Sequence, residues 1–145
     1  MKRGFVDVPV GQMHYRAEGS GEPLLFLHMT QSSSLHFVQV IPFFSQHYWA
    51  IAPDYPGYGD SDPAPHLYSM EEYAQSVLSF MDALGIQQAY MGGGYFGAAI
   101  SLRCAAGYPE RVRAIFPPTW PGASSVTPTW PPSCSSPWTW PSTKG

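Results

Sequence analysis

The chain has 145 residues, a formal net charge of −3 and only 12% charged residues, which leaves room for one modest core. Without a clustered basic face, nucleic acid is excluded as a partner. No apolar run reaches the roughly 18 residues of a membrane span, the opening MKRGFVDVPV lacks a signal peptide's apolar stretch, and Cys104 and Cys134 are too few for a disulfide framework or a zinc cluster, so a cytoplasmic protein with no membrane contact is expected.

In chain order, Phe5–Val8 and Gln12–Arg16 predict a hairpin across Pro9-Val10-Gly11. EGSGEP is a turn cluster, and Leu24–His28 is a short continuous apolar run that suits a strand buried on both faces. Residues 35–45 suit a helix carrying Pro42, Tyr48–Ala52 a second buried strand, and Asp54–Pro65 a loop. Ser69-Met70-Glu71-Glu72 is a capping box, followed by Tyr73, Val77, Phe80 or Met81, and Leu84 at helical spacing, with Gly85 at the C-cap. Ala89–Gly92 predicts a strand, Gly97–Ala106 a helix rich in small residues, and Val112–Phe116 a further strand. Strand-helix alternation with short turns indicates an α/β protein with a mostly parallel sheet and flanking helices.

From Pro117 onward the pattern ceases. Of 29 residues there, 23 are Pro, Ser, Thr or Trp, the only charge is Lys144, and TWP recurs at Thr119, Thr129 and Thr139. So much proline rules out a helix or a central strand. The chain therefore divides into a folded part, 1–116, and an irregular, disordered tail, 117–145.

MGGGYFG, residues 91–97, falls between the predicted strand and helix and parses in two ways. Gly92-x-Gly94-x-x-Gly97 is a literal GxGxxG, but a dinucleotide site wants it in the first strand–helix turn, with an acid about 20 residues on. Residues 116–118 read Phe-Pro-Pro, so no cofactor is expected. Gly93-x-Tyr95-x-Gly97 is a nucleophile elbow with tyrosine at the apex; it is preferred over the Gly92/Gly94 register because small residues must flank a strained turn.

LLFLHM with its serine-rich turn, APDYPGYGDSD, and YMGGGYFGAAISLRCAAGYPERVRAI stand in the order and spacing of the α/β-hydrolase family, which the chain resembles over about residues 5–116. The second stretch matches the D-x-x-G-x-G-x-S loop through Asp54, Gly57, Gly59 and Ser61. The resemblance implies an incomplete α/β-hydrolase fold and cofactor-free hydrolysis of an ester or related small-molecule bond. It places Tyr95 at the nucleophile position, the backbone N–H groups of Met29 and Phe96 in an oxyanion hole, and His28 as a brace of the oxyanion loop. Gly93 and Gly97 shape the elbow. Asp54 and Ser61 are expected to hydrogen-bond within their own loop.

The catalytic complement is short. The family's acid and histidine follow the elbow, yet no histidine or aspartate follows Tyr95, and Glu110 belongs to a surface turn. A phenol stays protonated near neutral pH without a nearby base or cation, so the plain expectation is a tyrosine whose ring is packed. Asp60 and Asp62 alternate as in a calcium loop, but Pro63 intervenes and no glutamate follows at the required distance, so no metal is expected. The abrupt change at residue 117 is read as a frame change or premature end that leaves a truncated, inactive protein, with self-association through the exposed edge Val112–Phe116. The second reading is a non-catalytic binding protein that uses a pocket near Tyr95 or the TWP tail.

Overall fold

A computed structural model describes residues 1–116; the TWP-bearing segment 117–145 lies outside the described residues. Strands β1 (Lys2–Val8), β2 (Gly11–Glu18), β3 (Pro23–Leu27), β4 (Trp49–Pro53), β5 (Ala89–Gly93) and β6 (Val112–Phe116) form a six-stranded sheet in the order β1-β2-β4-β3-β5-β6. β1/β2 and β2/β4 pair antiparallel, while β3/β4, β3/β5 and β5/β6 pair parallel. The predicted hairpin is present, and its register joins Phe5 to His14 and Asp7 to Gln12.

The apolar runs of β3 to β5 are explained by helices on both faces. Leu25, Leu27, Ile51 and Met91 enter one cluster with Val77, Phe80 and Met81 of α2 (Met70–Ala83) and Ile100 and Cys104 of α3 (Phe96–Gly107). Their strand neighbours Leu24, Phe26, Ala50, Ala52 and Tyr90 enter a second cluster with Phe37 and with Ile41 of α1 (Ile41–Phe44). Successive residues of a strand point to opposite faces, so an unbroken apolar run feeds both layers. Each fully buried large aliphatic side chain stabilises the fold by about 1.5–3 kcal/mol.

α2 begins as its sequence predicts. The Ser69 Oγ accepts from the Glu72 N–H, and the Glu72 carboxylate accepts from the Ser69 N–H at 2.8 Å. It ends in a Schellman arrangement, in which Ile86 N–H donates to Met81 O at 2.8 Å, Gly85 N–H donates to Asp82 O, and Gly85 has φ 71°. The helix expected over 35–45 is instead split into a 3-10 turn, Ser34–Phe37, and the four-residue α1. Pro42 has no N–H to give and fits only a first turn, so a new helix starts beside it.

Candidate functional site

β5 passes into α3 through Gly94 and Tyr95, and the backbone there is strained. Tyr95 has φ 50° and ψ −104°. Among the described non-glycine residues only Gln31, with φ 59°, shares a positive φ. The two lie in the loops that follow the adjacent parallel strands β5 and β3, where open α/β sheets build their sites. The flanking glycines fix the register. A Cβ on Gly93 or on Gly97 would run into the Leu27 carbonyl oxygen, whereas one on Gly94 meets nothing within 4 Å. These contacts give the sharp turn and the close helix–strand approach that the Gly93-x-Tyr95-x-Gly97 register requires.

Tyr95 itself departs from expectation. Its ring is not packed but 82% exposed, because a positive φ at the apex points the side chain away from both β5 and α3. Among the described residues, no side chain hydrogen-bonds its hydroxyl.

His28 is fully buried at the end of β3. Its Nδ1–H donates to the Met29 carbonyl at 2.8 Å, and its Nε2 accepts from the Tyr55 N–H at 3.4 Å. The Tyr55 hydroxyl donates to the His28 carbonyl at 3.2 Å. Burial lowers the pKa of the ring, against the opposing pull of the Met29 carbonyl, so it stays neutral with both nitrogens engaged. Among the described residues, neither the Met29 N–H, in the loop after β3, nor the Phe96 N–H, at the start of α3, donates a hydrogen bond.

Asp54, at the end of β4, is 1% exposed and anchors far more than its own loop. Within the loop it accepts from Asp60 N–H at 3.1 Å, and its carbonyl accepts from Ser61 Oγ at 2.8 Å. Beyond the loop it accepts from the Ser34 N–H at 2.5 Å and binds His14 Nδ1 at 2.8 Å. Burial alone would raise this carboxyl's pKa, but the Ser34 and Asp60 amides and His14 outweigh it and hold the group below the usual range. Gly57 and Gly59 turn the loop with φ 82° and 56°, and a Cβ on Gly59 would collide with the Asp54 carboxylate. The His14 and Ser34 links were not visible in the sequence, since those residues lie 40 and 20 positions from Asp54.

Between this loop and the elbow lies an aromatic cluster. Phe96 packs edge-on against Tyr73 at 5.1 Å and Tyr55 at 6.0 Å, and the His28 ring lies 4.2 Å from Tyr55 and 5.3 Å from Tyr58. Burial pushes the Tyr73 phenol up to about 12 and raises Tyr55 well above the usual phenol range. The Cys104 thiol is likewise raised to about 12 by burial. Each is protonated at neutral pH, and none is a ready nucleophile.

His14, Asp54 and Asp60 bring three ligand atoms within 4.8 Å of one another. Their lone pairs are already committed, because Arg3 donates to His14 Nε2 at 3.3 Å and to Asp60 at 2.6 Å. A guanidinium holds the position that a metal cation would need. Glu110 lies exposed in the 3-10 turn Pro109–Arg111, on the surface as expected.

The chain belongs to the α/β-hydrolase family: the profile described as alpha/beta hydrolase fold matches residues 22–116. Haloalkane dehalogenase 2 of Mycobacterium bovis is 31% identical over 112 residues, covering 77% of this chain and 39% of that protein. Bifunctional epoxide hydrolase 2 of Mus musculus is 35% identical over 119 residues, covering 79% of this chain and 22% of that one. A solved Vigna radiata epoxide hydrolase mutant superposes with a TM-score of 0.76 at 28% identity, over 80% of this chain and 37% of its own. The chain thus spans well under half the length of each. Among the described residues, no helix is long and apolar enough to cross a membrane.

Proposed function

We propose that this chain is an α/β-hydrolase relative that keeps the family's ligand pocket without its covalent hydrolysis. The family chemistry is cofactor-free cleavage of an ester or related small-molecule bond, and the names of the relatives extend that class to haloalkanes and epoxides. The carrying observation is the apex: Tyr95 occupies the strained nucleophile position, exposed and, among the described residues, without a hydrogen-bonded base. Residues 96–145 contain no histidine and no aspartate, so the base and orienting acid would have to come from outside these 145 residues. His28 does not stand in, because both ring nitrogens are used in bracing its own loop.

What remains is a binding pocket. The open N–H groups of Met29 and Phe96 would receive a ligand oxygen, and Phe96, Tyr58 and Tyr73 would supply apolar surface. Gly93, Gly97 and the Asp54–Ser61 loop hold those donors in place.

The test is a panel of a chromogenic short-chain ester, a haloalkane followed by halide release, and an epoxide, alongside ligand-induced thermal shifts with the same compounds. Shifts without turnover are expected. Turnover that falls in Tyr95→Phe would make the chain an enzyme with a phenol nucleophile; turnover that survives the substitution would place the chemistry elsewhere. The TWP tail is the second possible binding element, tested by comparing residues 1–116 with the full chain against a proline-recognition domain.

A further inference from the structure

The outer edge of β1 is built to pair with a second copy of itself. On β2, the His14 N–H donates to Ser61 Oγ at 2.9 Å and the His14 carbonyl accepts from Asp54 N–H at 2.8 Å. The Gln12 N–H donates to the Asp62 carboxylate at 2.8 Å, and its carbonyl accepts from Asp62 N–H at 2.9 Å. The polar backbone groups of His14 and Gln12 therefore point away from β1. Their partners across the hairpin are Phe5 and Asp7. In an antiparallel ladder, residues opposite one another share the same orientation, so Phe5 and Asp7 turn their own N–H and C=O groups outward. Alternation places Arg3 in the same set. β1 is terminal in the sheet, and no described strand lies beyond it.

The side chains of this set share one face and are self-complementary. Phe5 is 53% exposed, with its ring 5.1 Å from His14. Antiparallel pairing centred on Phe5 sets it against Phe5 of the partner subunit and sets Arg3 against Asp7 of the partner subunit, twice by symmetry. An exposed aromatic pair flanked by two opposite-charge pairs is what a two-fold strand interface favours. We propose that this chain forms a homodimer through β1, joining two sheets into one. This does not depend on the reading of the apex.

Two competing features are weaker. Arg3 also donates to His14 Nε2 and Asp7 accepts from Gln12, but the Arg3–Asp60 ion pair is half-exposed on both sides, 57% and 50%, and water already screens it, so pairing across the two-fold exchanges these contacts at small cost. On the opposite edge strand, β6, Phe116 already has an interaction partner.

Sedimentation velocity of the full chain over a range of concentrations tests the interface. A monomer–dimer equilibrium is expected. Asp7→Arg alone and Arg3→Asp alone should each weaken it about tenfold or more, by setting like charges opposite. The double variant R3D/D7R should recover most of the loss. A chain that is monomeric throughout, a dimer indifferent to Asp7→Arg, or a double variant without rescue overturns the proposal. So does a dimer broken by Ala114→Pro on β6. If a single variant does not fold, amide exchange on the unaltered protein decides: the Phe5 N–H must gain protection as concentration rises.

Discussion

Two glycine-bearing turns sit at the C-terminal ends of neighbouring parts of the sheet, and they are opposites. The Asp54–Ser61 loop buries a carboxylate and satisfies it from Ser34, Asp60 and His14. The elbow at Gly93–Gly97 exposes its apex and strains it to φ 50°, and among the described residues no side chain hydrogen-bonds the Tyr95 hydroxyl. One turn is tied down by buried hydrogen bonds; the other aims its apex side chain into solvent.

That contrast can be broken most severely at the elbow's close contact. Gly97→Val places a side chain against the Leu27 carbonyl, and loss of the cooperative thermal transition is expected, whereas Gly94→Ala three residues earlier should stay within about 0.5 kcal/mol. Asp54→Ala should cost about 3–5 kcal/mol in denaturant unfolding, because two amides and His14 lose a buried anion. The same carboxylate has a lowered pKa, so its contribution is complete above the unfolded value of 3.8 and fades as pH falls through the folded value.

Smaller effects sharpen the comparison. Ser69→Ala should cost about 1 kcal/mol through the α2 cap. Glu72 is held down to about 2 by the Ser69 amide and hydroxyl and by His66, so its share persists above about 4.5 and disappears as pH falls toward 2. Tyr95→Gly should have the opposite sign and stabilise the fold by up to about 1 kcal/mol, since glycine relieves the positive φ and an 82% exposed ring gives up little packing. A Tyr95→Gly protein less stable than its parent would show that the ring has a structural role.

The sequence by itself determined the parts governed by neighbouring residues. The hairpin, the Ser69 capping box, the Gly85 stop and the doubly buried strands all rest on contacts within a few positions or on an alternation that any strand must obey. Only the tertiary structure decided the rest. Pro42 split a helix that periodicity had joined. Tyr95 proved exposed, because the backbone angle at one residue sets where its ring goes. Asp54 acquired partners 20 and 40 residues away, and the outward set on β1 became visible only once β2 and the 54–62 loop had claimed each other's hydrogen bonds. Such links depend on which strands become neighbours, and strand adjacency is set by burial of the whole sheet rather than by any local run of residues.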